Sequence, residues 1–168
     1  YLDDFASKAK CLRNASLFRI RNAFTAHSKK TLTANETEVQ NELALLHGQK
    51  TYYVLGFGVL QRLMYKTKNP DFFSGLPMQT AQHIVRQTCS DFKAWLAALK
   101  AYREDASSFT GKSKMPGYCK GDTTTYLFTN QDAVIKDGML KLPKTKVRIP
   151  VRRRHGAKLM EVKVKPVS

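Results

Sequence analysis

The hydrophobic period of this chain changes once, and that change limits what the chain can fold into. Up to about Glu104, apolar residues recur at three- and four-residue steps, the spacing of one helix face. From Thr123 they alternate, the spacing of strands. Between the two lies Ser107–Tyr118, a polar stretch rich in Gly, Lys and Ser. The reading is an α+β chain: a helical part over residues 1–106 and a basic β part over 107–168. An apolar content of 42% is enough to build a core, so global disorder is not expected.

Four helices are predicted. Phe5, Ala9, Leu12, Ser16, Ile20 and Phe24 form a stripe over Leu2 to about Phe24, with Lys10, Arg13 and Arg21 off it. Thr33-Ala-Asn-Glu36 matches a capping box, a hydroxyl followed three residues later by a carboxylate. It predicts a helix over Glu36–Leu46, with Gly48 placed to end it. Tyr52–Lys66 reads as a helix or a strand; its length and the Leu60, Leu63, Met64 pattern favour a helix despite Gly56 and Gly58. Asn69-Pro70-Asp71 signals a turn. Pro77 suits the first turn of a long helix running to about Glu104. Its apolar arc holds Ala81, Val85, Thr88, Cys89, Phe92, Trp95, Leu96 and Leu99, and Arg86, Lys93 and Lys100 line one edge of it.

The second part reads as short strands at Thr123–Thr129, within Ala133–Leu142, at Lys146–Val151 and at Leu159–Lys165, completing a small sheet. Asp137-Gly138 is a two-residue hairpin signal. Arg152–Gly156 falls in the loop between the last two strands.

Charge then narrows the function. The chain carries 29 Lys+Arg against 13 Asp+Glu, a formal net of +16. Of these, 14 basic and only 4 acidic residues lie in Thr110–Ser168. Such asymmetry marks a face for a polyanion, either nucleic acid or an acidic membrane. No apolar run approaches the ~20 residues that span a bilayer, so no membrane anchor is expected. Three adjacent arginines, Arg152, Arg153 and Arg154, repel one another unless an anion is near. Lys112, Lys114, Tyr118 and Lys120 put three cations and a stacking ring on one Gly/Pro-containing loop, which reads equally well as a solvated linker with Tyr118 as a lid.

The sequence carries no catalytic constellation: no phosphate-binding glycine loop and no nucleophile elbow. Cys11, Cys89 and Cys119 are far apart, and the four histidines are equally scattered, so a structural zinc site is not expected. The cysteines fit a reducing cytoplasm, as small apolar residues.

Four segments in order resemble one family. They are Lys10–Arg21, Leu76–Gln82 leading into Phe92–Leu96, Gly111–Tyr118, and Leu127–Asn130 with Ile135–Pro143. Together they resemble the N-terminal part of the transposon-encoded RNA-guided DNA endonucleases of the TnpB type, relatives of the compact type V CRISPR effectors. The resemblance implies a helical recognition lobe joined to a small antiparallel β-barrel-like wedge domain, in a bacterial, nucleoid-associated protein. These would hold guide RNA and target DNA, with Gln79, Gln82 and Thr129 reading a short DNA motif beside the target. Asn14, Arg21, Arg86, Lys93, Lys100, Lys112, Lys114, Tyr118, Lys120, Arg152, Arg153 and Arg154 are the residues expected to meet nucleic-acid backbone. By the same resemblance, a first wedge strand would precede Tyr1. A nuclease domain using Mg2+ and an element binding Zn2+ would follow Ser168, so this chain alone is expected to cut nothing. The competing function is a stand-alone basic regulator, either a nuclease-dead RNA-guided repressor or a dimeric DNA binder.

Overall fold

The computed structural model describes residues 1–46, 53–152 and 156–166. Among these residues four helices come first: α1 (Leu2–Ala26), α2 (Ala34–Ala44), α3 (Phe57–Lys66) and α4 (Met78–Glu104). A single 3-10 turn at Ala106–Ser108 follows, and then five short strands: β1 (Tyr126–Thr129), β2 (Val134–Lys136), β3 (Met139–Lys141), β4 (Arg148–Pro150) and β5 (Glu161–Val164).

The helix starts follow local chemistry. Asp3 and Asp4 sit in the first turn of α1, where the helix dipole favours them. At α2 the capping box forms: the Thr33 backbone N–H donates to Glu36 Oε2 at 2.9 Å, and the Glu36 N–H donates to Thr33 Oγ1 at 3.3 Å. The helix begins at Ala34, two residues ahead of the predicted start, because residues after the cap are helical at once. The proposed stop, Gly48, lies outside the described residues, as do Tyr52, Arg153 and Arg154. α3 starts only at Phe57, after an extended Gly56. Asn69 Oδ1 accepts from the N–H groups of Asp71 and Phe72, both at 3.1 Å, which closes the turn expected there.

α1 is the central helix and packs on α2, α3 and α4. One hydrophobic cluster joins Leu12, Leu17 and Ile20 of α1, Leu60, Leu63 and Met64 of α3, and Ala81, Val85 and Phe92 of α4. It continues without a break into Tyr126, Phe128, Leu140 and Leu142. Phe5 makes the link, edge-on to Tyr126 and Phe128 at ring-centroid distances of 6.4 and 6.3 Å. A partly buried ion pair ties α1 to α2. Arg19 donates from Nε to Glu42 Oε2 at 2.8 Å and from Nη2 to Oε1 at 2.6 Å. Its Nη1 is satisfied by the Ala15 carbonyl.

The strands correct the expectation of one small barrel-like sheet. Among the described residues they form two separate antiparallel sheets, β1–β5 and β2–β3–β4, and no closed barrel. The reason is length and cover. Strands of three or four residues make few ladder bonds, Pro150 has no N–H to continue its ladder, and β1 spends its buried face on the helices rather than on another sheet. The Asp137-Gly138 turn forms as read: both residues have positive φ, 54° and 71°, joining Lys136 to Met139 across the hairpin. Across the other sheet, Tyr126 pairs with Val164 and Thr129 with Glu161.

Candidate nucleic-acid interface

The stretch after α4 is a strap laid along α1 in the opposite direction. Four contacts hold it in sequence order. Trp95 Nε1 donates to the Ser113 carbonyl at 3.1 Å, and Arg21 Nη1 donates to the Pro116 carbonyl at 3.3 Å. Asn14 donates from Nδ2 to the Cys119 carbonyl at 3.1 Å and accepts from the Cys119 N–H at 2.9 Å. The Thr124 N–H then donates to the Ala6 carbonyl at 3.1 Å. A carboxamide carries one acceptor and a donor group, as a peptide does, so Asn14 satisfies both polar groups of one strap residue.

Held this way, the strap exposes Lys112, Lys114 and Lys120. Tyr118 is not a buried lid: it is 44% exposed, with its inner face 5.1 Å from the Arg21 guanidinium. Asn14 and Arg21, expected to meet nucleic acid, thus have positions set by the strap and are half-buried. Trp95 is half-buried as well, not sealed in the core. Its ring packs edge-on against Phe24 at 5.6 Å and Phe92 at 5.1 Å.

A second basic element runs along α4. By helical spacing Gln79, Gln82, Arg86, Lys93 and Lys100 fall on one narrow edge. Gln79, Arg86, Lys93 and Lys100 are exposed and Gln82 is half-buried. The Arg86 guanidinium lies 4.5 Å from the Phe57 ring centroid, which fixes its direction. Lys100 approaches Glu104 only to 3.8 Å, an exposed pair worth about 0–1 kcal/mol at most.

Thr129 lies on a different element, at the end of β1. Its Oγ1 accepts from the Gln131 N–H at 3.4 Å. What relates it to α4 is Thr80, a residue the sequence reading passed over. Buried Thr80 donates from Oγ1 to the Leu127 carbonyl at 3.0 Å, tethering the first turn of α4 to β1. A lone threonine inside an apolar arc carries little signal, because its partner is 47 residues away.

A groove of about 410 Å³ opens between α1, α4 and the β1–β5 sheet, with His83, Thr124, Glu161 and Lys163 in its lining. Burial lowers the His83 pKa; nearby Arg86 adds to this and Glu161 opposes it. The Cys89 thiol is pushed up to about 11 by burial, so it stays protonated and unreactive. Arg152 is exposed just beyond β4; Arg153 and Arg154 lie outside the described residues.

Among the described residues, no group of three or more His, Cys, Asp or Glu side chains could hold a metal ion. No helix among them is long and apolar enough to cross a membrane. Set against known protein families, curated proteins and solved structures, the chain shows no match.

Proposed function

We propose that this chain is the guide-RNA- and target-DNA-binding part of an RNA-guided DNA endonuclease of the TnpB type. The reading rests on the resemblance of four ordered segments, and one structural observation supports it most. The basic strap is pinned to a helical platform, and its lysines face solvent, with no ion pair among the described residues. Cations held outward on a pre-set backbone are suited to phosphates spaced along a polymer, since little order must be gained on binding. The exposed edge of α4 adds Arg86, Lys93 and Lys100. Gln79 and Gln82 begin that edge, where a carboxamide can pair with an adenine in the DNA motif beside the target. Thr129 is the third proposed reader. Cleavage, with its Mg2+, and any Zn2+ element belong to the parent protein outside this chain.

The test is RNA content after purification. The protein, prepared at low salt without nuclease treatment, should carry RNA of discrete length, visible on a denaturing gel after phenol extraction. A preparation free of RNA that binds duplex DNA as a dimer would replace this reading with that of a stand-alone DNA-binding regulator.

A further inference from the structure

The groove between α1, α4 and the β1–β5 sheet has a built chemistry that the RNA-binding reading has not used. Its donors come from separate elements. Arg13 reaches it from α1, with Nη2 on Asp91 Oδ2 at 3.3 Å, while its Nη1 is buried and has no partner among the described residues. Lys163 stands on β5, opposite Leu127 of β1. Thr124 and Thr125 bring hydroxyls at the lead-in to β1. An acceptor is present too. Glu161 is two residues from Lys163 on the same strand, so both side chains leave the same face. Ile84 and Leu127 supply an apolar floor, and His83 a flat wall. Burial disfavours the charged form of that wall.

Donors alone would suit any phosphate. A carboxylate beside them repels a bare phosphate and asks for a ligand that carries a donor of its own. A ribonucleotide has both: a phosphate for Arg13 and Lys163, and a 2′-hydroxyl whose proton Glu161 can accept. The volume of about 410 Å³ lies within the range that takes a small ligand and is ample for one nucleotide unit. We infer that this groove takes a single ribonucleotide of a bound RNA, extruded from its neighbours, with Glu161 selecting ribose over deoxyribose. The inference rests on the RNA-binding reading and adds to it a means of telling RNA from DNA at one position.

The experiment uses adenosine 5′-monophosphate, 2′-deoxyadenosine 5′-monophosphate and inorganic phosphate as separate probes. Each is titrated to about 10 mM into the chain while the His83 imidazole and the Lys163 and Glu161 amides are followed by NMR. The ribonucleotide should give saturable shifts at all three, and should bind about tenfold or more tightly than the deoxyribonucleotide, as expected for one hydrogen bond to a charged group. Inorganic phosphate should bind most weakly. Glu161→Ala should erase the ribose preference while keeping the shifts. Lys163→Ala should weaken both nucleotides alike. Absence of saturable shifts at His83, equal affinity for the two nucleotides, or an unchanged ribose preference in Glu161→Ala would overturn the inference. A wild-type chain that binds polymeric RNA yet leaves the groove silent sinks this site alone, whereas failure to bind polymeric RNA sinks the broader reading.

Discussion

Trp95 is where strap and platform can be separated experimentally. Replacing it with Phe keeps an aromatic ring between Phe24 and Phe92 but removes the donor that holds the Ser113 carbonyl at 3.1 Å. A net hydrogen bond is worth about 0.5–1.5 kcal/mol, so local opening of the strap should rise about 2- to 12-fold. Trp95→Ala also loses two edge-on aromatic pairs, each about 0.5–1.5 kcal/mol. Its total cost should be about 2–4 kcal/mol, somewhat below the 3–5 typical of a fully buried aromatic, because the ring is half-buried. The assay is native-state trypsin cleavage at Lys112 and Lys114, flanking Ser113, beside urea unfolding of the same proteins. Trp95→Phe should speed cleavage at these two sites with little loss of global stability, and Trp95→Ala should change both. Equal cleavage rates in wild type and Trp95→Phe would refute the pin. A loss of 3–5 kcal/mol in Trp95→Phe would mean that the ring is sealed in the core.

Three further outcomes follow from other parts of the molecule. Arg19→Ala leaves the half-buried Glu42 carboxylate without its partner and should cost about 1.5–3 kcal/mol in urea unfolding, and Arg19→Lys should not restore the two-pronged contact. Glu36, hydrogen-bonded by Lys29, Thr25 and the Thr33 backbone, is lowered from 4.5 to about 2. It binds its proton less tightly folded than unfolded, so its contribution is complete above about pH 4.5 and lost as pH falls toward 2; Glu36→Gln should flatten the fall in Tm over that window. On the proposed function, Gln82→Ala in an RNA-guided complex should remove about 1–3 kcal/mol of preference for targets with the flanking motif while guide RNA binding stays near wild type, measured by paired DNA competition at fixed salt.

The parts of the fold that could be read from sequence are those set by neighbours in the chain. Thr33 and Glu36 are three residues apart and fix the start of α2; Asp137 and Gly138 are adjacent and fix the hairpin. Pro77 marks the start of α4 for the same reason. The misses are element boundaries, such as the start of α3 at Phe57, and above all long-range pairings. β1 pairs with β5 across more than thirty residues, and nothing local distinguishes that pairing from closure into one sheet. Asn14 and Arg21 were expected to meet nucleic-acid backbone; the strap partners they bond lie 105 and 95 residues away, beyond any local pattern. Arg19 carries no local mark of its ion-pair partner, because Glu42 lies on α2, 23 residues on. The exposed lysines of the strap and the row on α4 were legible because charge density needs no partner to be seen.

The central claim is that the outward cations hold an RNA backbone, and salt tests it most directly. Affinity of the chain for a labelled structured RNA, measured by fluorescence anisotropy from about 50 to 400 mM monovalent salt, should fall on a straight line in log–log form. For about 6 neutralised phosphates the slope should be about −4 to −5. A flat titration, or no binding at the lowest salt, would contradict the account.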